Sequence, residues 1–275
     1  MAAPSEWGSS NRTTFECGTS HATALVTREA SLLFDLLEAR SHDRYVSPLP
    51  DAMFHPLIVR ALLAHACSWG DWQKELSPEL RITSDQRRNL TPFLGYGHYF
   101  SDVARSAVNR AVVVAGNFIG LDERHSYDLP LPHSIRNKAE WRRLSITLAY
   151  WAPATHGLKR YRAAKVYFTA PELGLVQGER VDAYYRAVQR GSLQHEVIDG
   201  SKVTAFRDNA TFPVHVECMR GGQRGGKIDP IRYALVVSIE TAAETSVTVH
   251  DEVRAGLLRL HTQAEARQRS RVRNR

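Results

Sequence analysis

The sequence predicts a helical N-terminal part followed by an antiparallel β-sandwich, and two textures along its 275 residues carry that reading. From Ser20 to about Ala66, apolar residues recur at three- and four-residue spacing, the period of helices with a buried face. From Val112 onward they recur at alternate positions in short runs broken by Gly, Pro and Asp, the pattern of an antiparallel sandwich. Hydrophobic residues make up 43% of the chain and charged residues 24%, which suits a packed core rather than a disordered polymer.

Each element follows from this patterning. Residues 1–19 are rich in Pro, Gly, Ser, Asn and Thr and read as loop. A helix is expected from Ser20 to Arg40, with Val26, Ala30, Leu33 and Leu37 on one stripe and Leu25, Leu32 and Leu36 on its neighbour. So wide an apolar surface predicts a largely buried helix, whose first turns pack closely through Ala22, Thr23 and Ala24. After a connector holding Pro48 and Pro50, a second helix is expected over Met53–Ala66, with Phe54, Ile58, Ala61, Leu62 and His65 on one face. Residues 68–92 read as irregular, Gly95-Tyr96-Gly97 as a turn, and Asp102–Asn109 as a short helix.

Val112-Val113-Val114 opens the β-rich part. Leu144, Ile146, Leu148 and Tyr150 alternate with Ser145, Thr147 and Ala149, which predicts a half-buried strand. Val214, Val216 and Cys218 repeat the pattern, as do Tyr233, Leu235, Val237 and Ile239. Val247 and Val249 suggest a further strand, and a final helix is expected over Asp251–Arg267. These elements divide the chain into residues 1–110, a sandwich over 111–250, and a basic helix and tail over 251–275.

The net charge of +7 resembles a nucleic-acid signal, but five arginines fall between Arg267 and Arg275, and without them the body is near neutral. The basicity belongs to a solvated tail, so nucleic acid is not an expected partner. Residues 1–19 contain no apolar leader, and no run approaches the roughly 18 apolar residues of a membrane span, so a cytoplasmic protein without a membrane partner is expected. Cys17, Cys67 and Cys218 lie far apart without metal-ligand spacing, which fits a reducing compartment. No His/Cys set has zinc spacing and no acidic loop has the density for calcium, so neither metal nor cofactor is expected.

The segment that carries chemistry is Gly18-Thr19-Ser20-His21-Ala22-Thr23-Ala24. A serine in the first turn of a helix, preceded by glycine, lies where unpaired N–H groups favour a developing oxyanion. The plain alternative is that Thr19 or Ser20 is an N-cap. The run resembles the Gly-Thr-Ser-x-Ala motif around the catalytic serine of subtilisin-like serine peptidases. Ala2-Ala3-Pro4-Ser5-Glu6 is similar to the Ala-Pro-Gly-type loop that precedes that serine, and Gly95-Tyr96-Gly97 to the Gly-x-Gly closing the catalytic domain. Leu144–Pro153, His195-Glu196-Val197 and Tyr233–Glu240 resemble the β-sandwich many of these enzymes append. Ala24 stands where the family usually has proline, a mild change in a first helical turn.

The resemblance implies that residues 1–110 are the C-terminal part of an α/β subtilisin-like domain and that 111–250 form a jelly-roll-like sandwich. It implies serine endopeptidase chemistry on peptide or protein substrates. Ser20 would be the nucleophile, with Gly18 and Thr19 as motif neighbours. The family's triad runs Asp, His, Ser along the chain. The 19 residues before Ser20 contain neither His nor Asp, and Asn11 lies too near the serine to be the family's oxyanion asparagine. A hydroxyl without a base is a poor nucleophile, so the chain alone is expected to be inactive, with a missing N-terminal segment supplying base and acid, in trans if separate. His21 diverges from Ser20 by about 100° on a helix, and His42, His55, His65 and His98 could reach it only through tertiary folding.

The competing readings are a noncatalytic protein-binding sandwich and a basic nucleic-acid-associated protein. Gly221–Lys227 nearly spells a phosphate loop, but Ile228 replaces the Ser/Thr that would hold magnesium and Asp229-Pro230 opposes a following helix, so it reads as a connection between strands. Trp141, Trp151, Tyr161 and Tyr167 read as core or edge packing.

Overall fold

The computed structural model describes residues 2–4, 13–15, 18–41, 49–135, 141–151, 154, 162–169, 179–181, 191–200, 211–221, 228–242 and 248–260. Two short strands open the chain, β1 (Ala2–Pro4) and β2 (Thr13–Phe15), paired antiparallel with Ala3 opposite Thr14. The loop expected over 1–19 is thus corrected in part. Three-residue strands are below the length at which alternation can be read in sequence.

Helix α1 spans Thr19–Ser41, one residue beyond the expected helix at each end. Its burial differs from expectation. Leu33 and Leu37 are buried, while Leu25 and Val26 are 50% and 40% exposed. Among the described residues the C-terminal half is the part that packs on a partner, so the wide apolar surface is half used. The partner is α2 (His55–His65), entered through a 3₁₀ turn at Ala52–Phe54 with Pro56 in its first turn, where a missing N–H costs nothing. Phe54, Ile58, Ala61, Leu62 and His65 are all buried, as their spacing requires.

Residues 68–92 are not irregular. They contain α3 (Trp72–Glu79) and α4 (Gln86–Leu94), packed around Trp69 and Leu90. Both helices are short and each has an internal proline, Pro78 or Pro92, which obscures the helical signal. Gly95–Gly97 is a turn, fastened by Gly97 N donating to Leu94 O (2.9 Å) and Trp69 Nε1 donating to Gly95 O (3.0 Å). Beside it, β3 (Cys67–Ser68) pairs with β4 (His98–Tyr99). No helix forms at 102–109; those residues make turns that end in a bridge between Ala107 and Arg110.

The remaining strands are β5 (Arg110–Ile119), β6 (Arg124–Pro130), β7 (Arg142–Tyr150), β8 (Ala164–Thr169), β9 (Glu179–Val181), β10 (Leu193–Gly200), β11 (Thr211–Arg220) and β12 (Ile231–Thr241). They form two antiparallel sheets, ordered β5-β12-β7-β10-β9 and β6-β11-β8. From β5 to β8, and again from β10 to β12, successive strands alternate between the sheets. One apolar cluster draws on both: Leu144, Ile146, Leu148, Tyr233, Leu235 and Val237 from the larger sheet, with Val166, Phe168, Val214, Val216 and Cys218 from the smaller.

Strand β11 is half-buried, as its alternation predicts. Strand β7 is not: Ser145, Thr147 and Ala149 are as buried as the residues between them. Helix α2 lies on that face, and a second cluster unites Leu33, Leu37, Ile58 and Leu62 with Ala149, Ala234 and Val236. The polar residues alternating along β7 therefore face a helix, not water. Val249 belongs to a helix over 249–260 rather than a strand, and Val249 and Val253 enter the inter-sheet cluster at i, i+4 spacing. Gly256 lets this helix approach closely, since a Cβ there would sit 2.5 Å from Pro130. Val247, residues 222–227 and the tail from 261 lie outside the described residues.

Candidate functional site

The first turn of α1 sets the geometry around Ser20. The Gly18 carbonyl accepts the first helical bond, from Ala22 N at 3.1 Å, which makes Gly18 the cap residue. Glycine has no side chain to satisfy the free N–H groups beyond it. Neither Thr19 nor Ser20 therefore acts as the N-cap. Ser20 is exposed, and among the described residues its hydroxyl has no hydrogen-bond partner. Thr23 and Thr27 instead turn their hydroxyls back to the carbonyls of Thr19 and Thr23, 2.8 Å each. Gly18, Thr19 and Ser20 thus form one exposed turn of helix N-terminus without an acidic residue.

His21 stays beside Ser20 in the same first turn, whereas several other histidines are engaged elsewhere. His98 stacks edge-on to Phe100, His125 Nδ1 lies 2.8 Å from the Tyr233 hydroxyl, and His215 Nδ1 lies 2.9 Å from Ser126 Oγ. His55 is buried at the start of α2. His42, Asn11, Cys17 and Tyr161 lie outside the described residues. Cys67 and Cys218 form no disulfide. Among the described residues no group of His, Cys, Asp or Glu could hold a metal, and no helix is long and apolar enough to cross a membrane.

A buried polar chain, not read from the sequence, lies between α2 and the larger sheet. His65 Nε2 is 2.7 Å from Ser238 Oγ, His65 Nδ1 is 2.8 Å from Thr147 Oγ1, and Thr147 Oγ1 is 2.7 Å from His195 Nδ1. Burial holds both imidazoles neutral. His65 is pushed well below the usual histidine range by desolvation first, then by His195 and Arg110, and His195 falls from 6.5 to about 4 through desolvation and Arg143. The Ser238–His65 contact has the spacing of a nucleophile and base, but both residues are at most 4% exposed. Buried this deeply, the contact pairs donors and acceptors within the core rather than at a cleft.

An open cleft forms where α2, the Gly95–Gly97 turn and the adjoining ends of β7 and β10 meet, lined by Arg60, Tyr96, Tyr150, Trp151, Arg162 and the segment Gly191–Leu193. Sequence reading missed it because its residues are up to 133 positions apart, from Arg60 to Leu193, and none belongs to a motif. Trp151, expected to pack, is 65% exposed at its rim, whereas Trp141 donates to Asp199 and Tyr167 to Glu217. The chain matches no protein-family model and no curated protein sequence.

Proposed function

We propose that this chain is the serine-bearing portion of a subtilisin-like endopeptidase, with Ser20 as nucleophile and with its general base and orienting carboxylate supplied by a segment outside this sequence. The observation that carries the reading is the exposed Ser20 hydroxyl in the first turn of a 23-residue helix whose cap is Gly18. Free N–H groups at that turn suit an oxyanion, and the Ser20 N–H is itself one of them. Residues 1–110 are read as the end of the α/β catalytic domain. Residues 111–250 are read as an appended jelly-roll-like sandwich, which the alternation of strands between two antiparallel sheets supports.

In this reading Ser20 attacks the scissile carbonyl once a histidine from the missing segment takes its proton. The chain alone should not turn over peptides. Treating the purified chain with a fluorophosphonate should leave Ser20 unlabelled; clean labelling lost in Ser20→Ala would show a complete site in this chain. Sequencing the coding DNA directly upstream should reveal an in-frame region with the family's Asp and His motifs. An upstream region without them, together with no fluorophosphonate labelling of Ser20 when a subtilisin-like Asp- and His-bearing segment is added in trans, sinks the proposal.

A second reading, a noncatalytic protein-binding module, draws on the exposed Leu25, Val26 and Leu32 of α1. It expects no labelling of Ser20 even after the upstream segment is supplied.

A further inference from the structure

We propose that the cleft between Arg60 and Arg162 binds a small organic anion, a phosphate or carboxylate carried on an aromatic body. The inference is independent of the peptidase reading. The cleft has a volume of about 520 Å³, within the range of small-molecule sites. Two guanidinium groups line it, and among the described lining residues there is no carboxylate. Arginine presents a planar fork of donors that matches an oxyanion bidentately, which a lysine cannot do.

The groups are held in place rather than left to wave in solvent. Arg60, projecting from α2, donates to Ser192 Oγ at 2.9 Å. That is one of its five donors, and its others have no partner among the described residues. Arg162 donates to the Gly191 carbonyl at 2.9 Å and to the Tyr150 hydroxyl at 3.2 Å, so it is anchored to the residue next to the partner of Arg60. Tyr96, carried by the turn at Gly95–Gly97, donates to the Leu193 carbonyl at 2.8 Å, and burial pushes its phenol up to about 12. Like any tyrosine at neutral pH it is uncharged, so it does not repel an anion. The floor is rigid because Tyr150 N donates to Ser192 O and Trp151 N to Arg232 O, both at 3.0 Å.

Trp151 supplies the second half of the recognition. An indole that is 65% exposed at the rim of a cationic cleft is a stacking surface for an aromatic body whose charged end reaches the arginines. One wall thus reads charge and the rim reads an apolar face.

Calorimetric titration of the full chain with phenyl phosphate, benzoate, inorganic phosphate and benzyl alcohol tests this. At least one aryl anion should bind at a single saturable site, more tightly than inorganic phosphate, and benzyl alcohol should not compete. Preference for phenyl phosphate assigns a phosphate ester as the natural ligand, and preference for benzoate assigns a carboxylate. Arg60→Met should weaken the aryl anion about tenfold or more, with Arg60→Lys between it and the parent. Trp151→Ala should weaken the aryl anion several-fold while leaving inorganic phosphate unchanged. Arg60 and Trp151 are surface residues, and an unchanged melting temperature will verify that each variant folds. Absence of saturable binding by either aryl anion overturns the proposal, as does binding that Arg60→Met leaves intact.

Discussion

His65 illustrates how a single side chain ties helix to sheet. It reaches Thr147 on β7 and Ser238 on β12 from the last turn of α2, and Thr147 passes the chain on to His195 on β10. Because both imidazoles bind protons more weakly when folded, the unfolded chain gains protons first as pH falls. Their contribution to stability is complete above the ordinary value of 6.5 and is lost as pH drops from there toward about 4, the folded value of His195. Urea midpoints measured between pH 7.5 and 4.5 should fall across that window. In His65→Leu the fall should be shallower, and the variant should be about 2–3 kcal/mol less stable at pH 7.5, since Thr147 and Ser238 lose a partner. A midpoint that stays flat from pH 6.5 to 4.5 would contradict a neutral buried pair.

Gly97 makes the opposite kind of demand, for an absence of atoms. Its φ of +102° is a conformation side chains rarely adopt, and a Cβ would lie 2.3 Å from the Ser68 carbonyl oxygen. The atoms it would meet, Ser68 O, Ser68 C and Trp69 N, are all backbone, so nothing flexible can move aside. Gly97→Ala should cost more than about 2 kcal/mol by denaturant titration, whereas Gly95→Ala, with open space around it but φ +55°, should cost less.

At the scale of elements, α1 divides into two halves with different work. Leu33 and Leu37 are 1% and 5% exposed against α2, so Leu33→Ala or Leu37→Ala should each cost about 2–4 kcal/mol. Leu25→Ala and Val26→Ala lie on the exposed half and should change stability by under about 0.5 kcal/mol. Equal losses from the two halves would mean that the N-terminal half has a partner of its own. The same division explains why the helix is legible in sequence while its burial is not. Periodicity reports that a face is apolar, and only the neighbouring elements decide how much of it is covered.

For the molecule as a whole, the exposed stretch of Leu25, Val26 and Leu32 is a surface other apolar surfaces can cover. Sedimentation velocity over a hundredfold concentration range should reveal self-association that Leu25→Lys and Val26→Lys together abolish. A parent chain that remains monomeric throughout would contradict this. The helices and sheets share the cluster around Ile58, Leu62, Ala149 and Val236, so association through α1 adds to an already continuous core rather than completing it.

The sequence by itself determined helices close to those at 19–41 and 55–65, the strands around Leu144–Tyr150, Val214–Cys218 and Tyr233–Ile239, and the Gly95–Gly97 turn, because each is written in a local period or in glycines whose backbone freedom permits a turn. It also placed Ser20 at a helix start, since a glycine before an apolar-periodic run marks that boundary locally. Only the tertiary structure decided that Ser145, Thr147 and Ser238 lie under a helix, that Val249 is helical, that α1 is half bare, and that Arg60 and Arg162 face one cleft. Those facts depend on which distant segments meet. A period of two or 3.6 residues describes one face of one element and carries no information about what packs against it.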